Sequence, residues 1–229
     1  VSPGTTVLGQ AARWLLLVWM CVVIWAAFFV VHPAEGFKGQ ASRIVFFHVP
    51  TAWVATLAFL VSCVASVLYL TRRRKVDDIR ASVSAALGLA FAIMATVTGS
   101  IFAKIEWNSF WNWDPRETSI TILLLMYAAY FALRGSIADP ELRGTLSAAY
   151  AILAFIAVPF LVFVVPRIYW SLHPDVIGQT RSGGGGFDAA HTLVLLASLA
   201  GFTGIFAWIF SVECRLEHLL RRRQEELLR

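Results

Sequence analysis

Residues 106–119 read Glu-Trp-Asn-Ser-Phe-Trp-Asn-Trp-Asp-Pro-Arg-Glu-Thr-Ser, so Trp107, Phe110, Trp111 and Trp113 fall within seven positions. Indole faces are rigid, large and apolar, and they suit a flat aromatic ligand at low entropic cost. On a helix turning 100° per residue, Trp113, Phe110, Asp114, Trp107 and Trp111 share one face. That spacing predicts a short amphipathic helix lying in the membrane interface. Tryptophan also forms interfacial belts in many membrane proteins. Three indoles in seven residues exceed what a belt requires, and the segment reads as a ligand platform. Asp114, inside the aromatic arc, also reads as a helix N-cap, with Pro115 at N1 and Glu117 completing a capping box. The two roles are compatible.

Five histidines accompany this segment: His32, His48, His173, His191 and His218. Imidazole nitrogen is a standard axial ligand of haem iron. His48, in Arg43-Ile-Val-Phe-Phe-His-Val-Pro, and His173, in Ser-Leu-His-Pro, lie in loops that the span assignment below puts on the tryptophan segment's side. One imidazole from each, with the indoles packed on a porphyrin, makes a haem site. His32, His191 and His218 read as interfacial or tail histidines. Cys21, Cys63 and Cys214 form no CxxC pair, which argues against a zinc ribbon, a disulfide framework or covalent haem attachment.

The elements that must position these residues are set by composition. The 229 residues are 59% hydrophobic and 14% charged, with 17 Phe and 9 Trp. Soluble proteins carry about 25% charged residues, so this is an all-α integral membrane protein. Six apolar runs reach the ~20 residues a spanning helix needs: 14–31, 50–71, 83–103, 118–134, 146–166 and 189–211. The first exceeds a signal-peptide core of ~7–15 residues and is read as a span. Residues 1–229 form a single polytopic domain, without a Walker or Rossmann glycine pattern. Pro159 predicts a kink in span five, Gly183–Gly186 a mobile patch in the last outer loop, and Glu217–Arg229 a short solvated helix.

Charge sets the direction. Arg13, Arg72–Lys75, Arg80, Arg134, Arg143 and the tail arginines place 13 of the 19 Lys and Arg on one side. The positive-inside rule makes that side cytoplasmic, with both termini. His48, His173 and the tryptophan segment then share the outer face. The net charge of +5 reports topology and anionic headgroups of the bilayer, not nucleic acid. The spans carry essentially no ionisable residue, which makes an ion-driven pump a poor fit. An acid–base enzyme using Glu106, Asp114 and Glu117 is a weak rival, because the three crowd one surface segment. A structural subunit of a membrane complex is another.

Trp107-Asn-Ser-Phe-Trp111-Asn-Trp113-Asp114-Pro-Arg116-Glu-Thr118 resembles the tryptophan-rich signature of the haem-handling membrane proteins of cytochrome c biogenesis. His48-Val-Pro-Thr-Ala-Trp53 resembles their His-Val-Pro-x-x-Trp element. Length and six-span plan are most similar to the haem exporter protein C family. The Trp-Asp-Pro-Arg-Glu-Thr wording is closer to the larger subunits of two-component cytochrome c synthases, but their mid-span histidines are absent. The resemblance implies a non-enzymatic carrier of non-covalent haem b in a prokaryotic inner membrane. It implies His48 and His173 as axial ligands, and Trp107, Phe110, Trp111, Trp113 and Asp114 as the haem-holding segment. Its implied partners are a periplasmic haem chaperone (protein E of the pathway), the ATP-binding-cassette subunits A and B and the small membrane protein D.

Overall fold

A computed structural model describes residues 3–173 and 186–227, and among these the chain is helical with no strand. The elements are α1 (Pro3–Trp25), a π-helical turn (Ala26–Val30), α2 (Ser42–Arg72), α3 (Lys75–Trp107) and α4 (Pro115–Ser136). They continue with α5 (Pro140–Pro159), a second π-helical turn (Phe160–Val164), α6 (Val165–Ile168) and α7 (Ala189–Leu227). Among the described residues six helical stretches are long and apolar enough to cross a membrane: Gly9–Val30, Ser42–Arg72, Lys75–Trp107, Pro115–Ser136, Pro140–Ile168 and Ala189–Gln224. The six expected spans are present, and most helices outrun the apolar runs that announced them.

The centre is the α2–α3 pair, which approaches closely because its facing residues are small. Ser62 donates to the Ala81 carbonyl and Ser84 to the Ala58 carbonyl, both at 2.8 Å. Gly88 leaves room for the Phe59 ring, which a Cβ there would meet at 2.5 Å. Phe59 in turn stacks on Tyr127 of α4. In lipid, water contributes little to helix association, so such close packing and cross-helix hydrogen bonds carry it.

Two prolines shape the helices in different ways. Pro159 is followed by the π-helical turn Phe160–Val164, which widens span five where the proline interrupts the ladder. Pro50 lies inside α2 instead of opening it. Its missing N–H strands the Phe46 carbonyl, and the fully buried Ser198 hydroxyl of α7 donates to that carbonyl. With the carbonyl satisfied from outside, α2 runs eight residues further toward its N-terminus than the expected start at residue 50. His48 is consequently a helix residue, not a loop residue.

Two further expectations are corrected. The tryptophan segment is not a helix: α3 ends at Trp107, and Asn108–Asp114 run as irregular backbone to α4. Asn108 closes α3 in the left-handed region (φ 59°), a C-terminal role Asn tolerates. Side chains then take over the backbone groups. Ser109 Oγ donates to the Trp111 carbonyl at 2.8 Å, and Glu117 Oε2 accepts from the Asn112 and Asp114 N–H groups at 2.7 and 3.3 Å. Local bonds of this kind compete with helix formation, and Pro115 biases Asp114 away from helical geometry. The tail is likewise not a separate solvated helix. α7 is continuous for 39 residues, and its Arg221 reaches Asp78 at 3.0 Å. Arg134 of α4 forks onto both oxygens of the same Asp78 at 2.8 Å. This charged cluster ties α3, α4 and α7 together at the end of the bundle opposite the tryptophan segment. Of the glycine patch, Gly183–Gly185 lie outside the described residues.

Candidate functional site

His48 occupies the second turn of α2 and points its imidazole at α3. Nδ1 is 3.0 Å from the Ala95 carbonyl and 3.2 Å from Thr98 Oγ1. A carbonyl only accepts, so neutral His48 carries its proton on Nδ1 and presents a bare lone pair at Nε2. The close approach depends on Gly99, where a Cβ would lie 2.8 Å from His48 Cε1.

His173 follows α6 in irregular backbone and is held by Asp114. Its Nδ1 is 2.9 Å from Asp114 Oδ1. The same carboxylate accepts from Leu172 N–H at 2.7 Å, from Ser171 Oγ at 2.9 Å and from Arg116 N–H at 2.9 Å. Asp114 is also the N-cap of α4, with Glu117 completing the capping box, so the sequence reading of this cap holds. Burial works against ionising Asp114, but the bonds from His173, Arg116 and Leu172 outweigh it and hold its carboxyl well below the usual carboxylate range. As with His48, an obligate acceptor at Nδ1 leaves the lone pair of neutral His173 at Nε2. Neither Nε2 hydrogen-bonds to a described residue.

The four aromatic residues divide by exposure. Trp107, half-buried, sets its ring edge-to-face against His173 at 5.1 Å and against Phe102 at 5.6 Å between centroids. Trp111 is half-buried and meets Trp113 edge-to-face at 5.9 Å. Phe110 and Trp113 are 59% and 69% exposed and form an open apolar rim. Trp113 adopts φ 55°, a strained conformation for a bulky side chain.

His173, Trp107 and Asp114 thus come together, with Trp111, Trp113 and Phe110 on the same short segment, and His48 is seated on the α3 helix that ends at Trp107. The remaining histidines do not join them. His191 is buried with both ring nitrogens occupied: Nδ1 lies 2.7 Å from Asp188 Oδ1, and Nε2 lies 2.9 Å from the His32 carbonyl. Bonds from the His191 backbone and side chain hold the Asp188 carboxyl below its ordinary value. His218 lies on the opposite extension of α7. Sequence reasoning missed the groups that seat the two imidazoles: the Ala95 carbonyl, Thr98 and Gly99 for His48, and Ser171 with the Asp114 carboxylate for His173. The i, i+3, i+4 placement of Ala95, Thr98 and Gly99 marks one face of α3, but nothing local ties that face to His48. The His173–Asp114 bond spans 59 residues and has no local signal.

Among the described residues no three His, Cys, Asp or Glu side chains group as a metal cage. The site offers two imidazole lone pairs and an aromatic surface. That donor set fits a metal that brings its own equatorial nitrogens in a flat macrocycle, and it fits a bare ion poorly.

The family model described as heme exporter protein C matches residues 4–229. A protein of Bradyrhizobium diazoefficiens named heme exporter protein C is 32% identical over 195 residues, covering 85% of this chain and 73% of its own length. Proteins of the same name from Paracoccus denitrificans and Escherichia coli K12 are each 28% identical, over 91% and 94% of this chain and 86% and 87% of theirs. A match of that extent selects this family over the synthase subunits whose wording the Trp-Asp-Pro-Arg-Glu-Thr stretch shares, and the chain belongs to the heme exporter protein C family.

Proposed function

We propose that this chain is a non-enzymatic haem carrier of cytochrome c maturation that holds haem b non-covalently between His48 and His173. The observation that carries this reading is the paired state of the two imidazoles. Each has Nδ1 fixed by an acceptor and Nε2 left for a metal. Haem, as cargo, supplies the iron that the two Nε2 lone pairs would ligate axially. Trp107, Phe110, Trp111 and Trp113 supply apolar contact with the macrocycle, and Asp114 fixes the ring of His173. The three cysteines are free and lie on α1, α2 and α7, away from the tryptophan segment in sequence, which supports a non-covalent hold.

The site faces the outside of a prokaryotic inner membrane, and both termini are cytoplasmic. The distribution of Lys and Arg supports this orientation. The chain works as one polytopic unit. It passes haem to the periplasmic chaperone, protein E of the pathway, alongside ATP-binding-cassette subunits A and B and small protein D. A site at one end of the bundle with an open rim of Phe110 and Trp113 suits such a hand-over.

The test is the absorption spectrum of the purified protein in detergent. Bound ferric haem is expected to be six-coordinate and low-spin, and His48→Ala or His173→Ala should each shift it to high-spin. Spectra unchanged in both single variants would refute the assignment. Tags after Lys75 and at Arg229 should be cytoplasmic, and a tag near Gly184 should be external. A cytoplasmic Gly184 would remove the outer site.

A further inference from the structure

α1 touches the rest of the bundle along a narrow seam. Gly201 and Gly204 of α7 receive Met20, Trp19 and Leu16, and a Cβ at Gly204 would meet Leu16 Cδ1 at 2.8 Å. Trp19 Nε1 donates to the Ala197 carbonyl at 2.9 Å and pins the seam. Beside the seam lies a cleft of about 570 Å³ whose walls are Trp14, Leu16, Leu17, Met20, Ile205 and Trp208, with Arg13 and Gln10 at its polar edge. The Arg13 guanidinium lies 5.9 Å from the centre of the Trp208 ring and makes no ion pair with a described residue.

An apolar cleft on the lipid-facing side of a spanning helix loses dispersion contacts if left empty, and the chains that surround it are acyl chains. The charge at its mouth selects among lipids. A guanidinium presents a fork that matches phosphate oxygens, and stacking over an indole orients it before any ligand arrives. Arg13 lies at the end of the bundle that carries Arg72–Lys75, Arg80, Arg134 and Arg143, where anionic headgroups concentrate.

We infer that the α1–α7 cleft is a binding site for one anionic phospholipid, its acyl chain between Leu17, Met20 and Ile205 and its phosphate on Arg13. The site is separate from the histidines and does not depend on the haem reading. The cleft also explains why α1 can be held by so thin a protein seam, since the lipid completes the contact between α1 and α7.

The test uses the full chain in detergent with equimolar phosphatidylglycerol and phosphatidylethanolamine of identical acyl chains, read by native mass spectrometry. One retained phosphatidylglycerol is expected. Arg13→Gln should lower its retention roughly fivefold, the effect of about one basic residue near a lipid surface, and should leave phosphatidylethanolamine unchanged. Leu17→Trp, which fills the cleft, should expel both lipids while the circular-dichroism spectrum and the gel-filtration elution stay those of the wild type, so that a loss of lipid is separable from a failure to fold. Arg143→Gln, at the same end but outside the cleft, should have no effect. Equal retention of the two lipids, or an equal loss in Arg13→Gln and Arg143→Gln, would overturn the inference. Displacement of the Arg13 effect by inorganic phosphate alone, or a dimer mass in place of the lipid adduct, would overturn it as well.

Discussion

The seat of His48 is made by two packed helices, whereas the seat of His173 is made by a buried carboxylate at the end of irregular backbone. His48 relies on shape and on a neutral acceptor, the Ala95 carbonyl, with Gly99 clearing space for the ring. His173 relies on Asp114, which simultaneously caps α4 and gathers Leu172, Ser171 and Arg116. Both arrangements leave Nε2 without a partner among the described residues, but they should fail differently. A helix-made seat yields to steric intrusion. A charge-made seat yields when its single hub is removed, because every donor loses its acceptor together. On the proposed ligation the two rings would also differ as ligands, since an imidazole bonded to a carboxylate is the more basic donor.

The largest effect is expected from Asp114→Ala. It removes the N-cap, at about 1 kcal/mol, and leaves buried donors unmet, at about 1–3 kcal/mol. Haem affinity should fall more than about a hundredfold for a loss near 3 kcal/mol, with the His173 spectral contribution gone. Asp114→Asn keeps the cap but weakens the acceptor of His173. It should retain haem more loosely and raise the ferric–ferrous midpoint potential. The same potential in Asp114→Asn and wild type would erase the distinction between the two seats.

Gly99→Val should come next and act on His48 alone. Its side chain meets an imidazole that a Cβ already reaches at 2.8 Å, so the variant should show the high-spin spectrum of His48→Ala. Gly99→Ala should be intermediate. A low-spin Gly99→Val would mean that the ring is not held where α3 places it.

Trp107→Ala should lose roughly tenfold in haem affinity, from ~60 Å² of apolar contact at ~25 cal/mol per Å², and should also loosen His173. Trp113→Ala, on the exposed rim, should lose affinity without changing ligation. Replacing Trp107, Trp111 and Trp113 together should stop haem delivery, since neighbouring contacts act as a set. Full delivery by that triple variant would reduce the segment to an interfacial belt.

The smallest effect concerns pH. The Asp114 carboxyl is held below its ordinary value, so its stabilisation is complete above the unfolded value of about 4 and is lost as pH falls through the lower folded value. The difference in Tm between wild type and Asp114→Asn should stay constant from pH 8 to pH 5 and shrink only below about 4. A difference that already shrinks near pH 6 would assign the hub to a histidine instead.

What the sequence made legible follows the range of the forces involved. The six helices were readable because each is a long apolar run, and the Asp114–Glu117 capping box because it is complete within four residues. The extension of α2 past Pro50 was not, because it depends on Ser198, 152 residues away. The flat tryptophan helix was wrong for a local reason that periodicity ignores: Asn108, Ser109 and Glu117 offer the backbone better partners than a helix would. The loop charges gave an expectation for which side His48 and His173 face. The seats of their rings were not legible, since each is built by another helix or by a residue from another loop.

α7 has a mechanical consequence. Its 39 residues form one rod, about 58 Å long at 1.5 Å per residue, against a hydrocarbon layer of about 30 Å. One end carries the His191 staple to the His32 carbonyl, and the other carries the Arg221 clamp on Asp78. A tilt of about 5° about one end of such a rod moves the other by about 5 Å, beyond the reach of any hydrogen bond. The staple and the clamp therefore set each other's alignment across the full depth of the bilayer, and neither can shift far while the rod stays straight and the other holds.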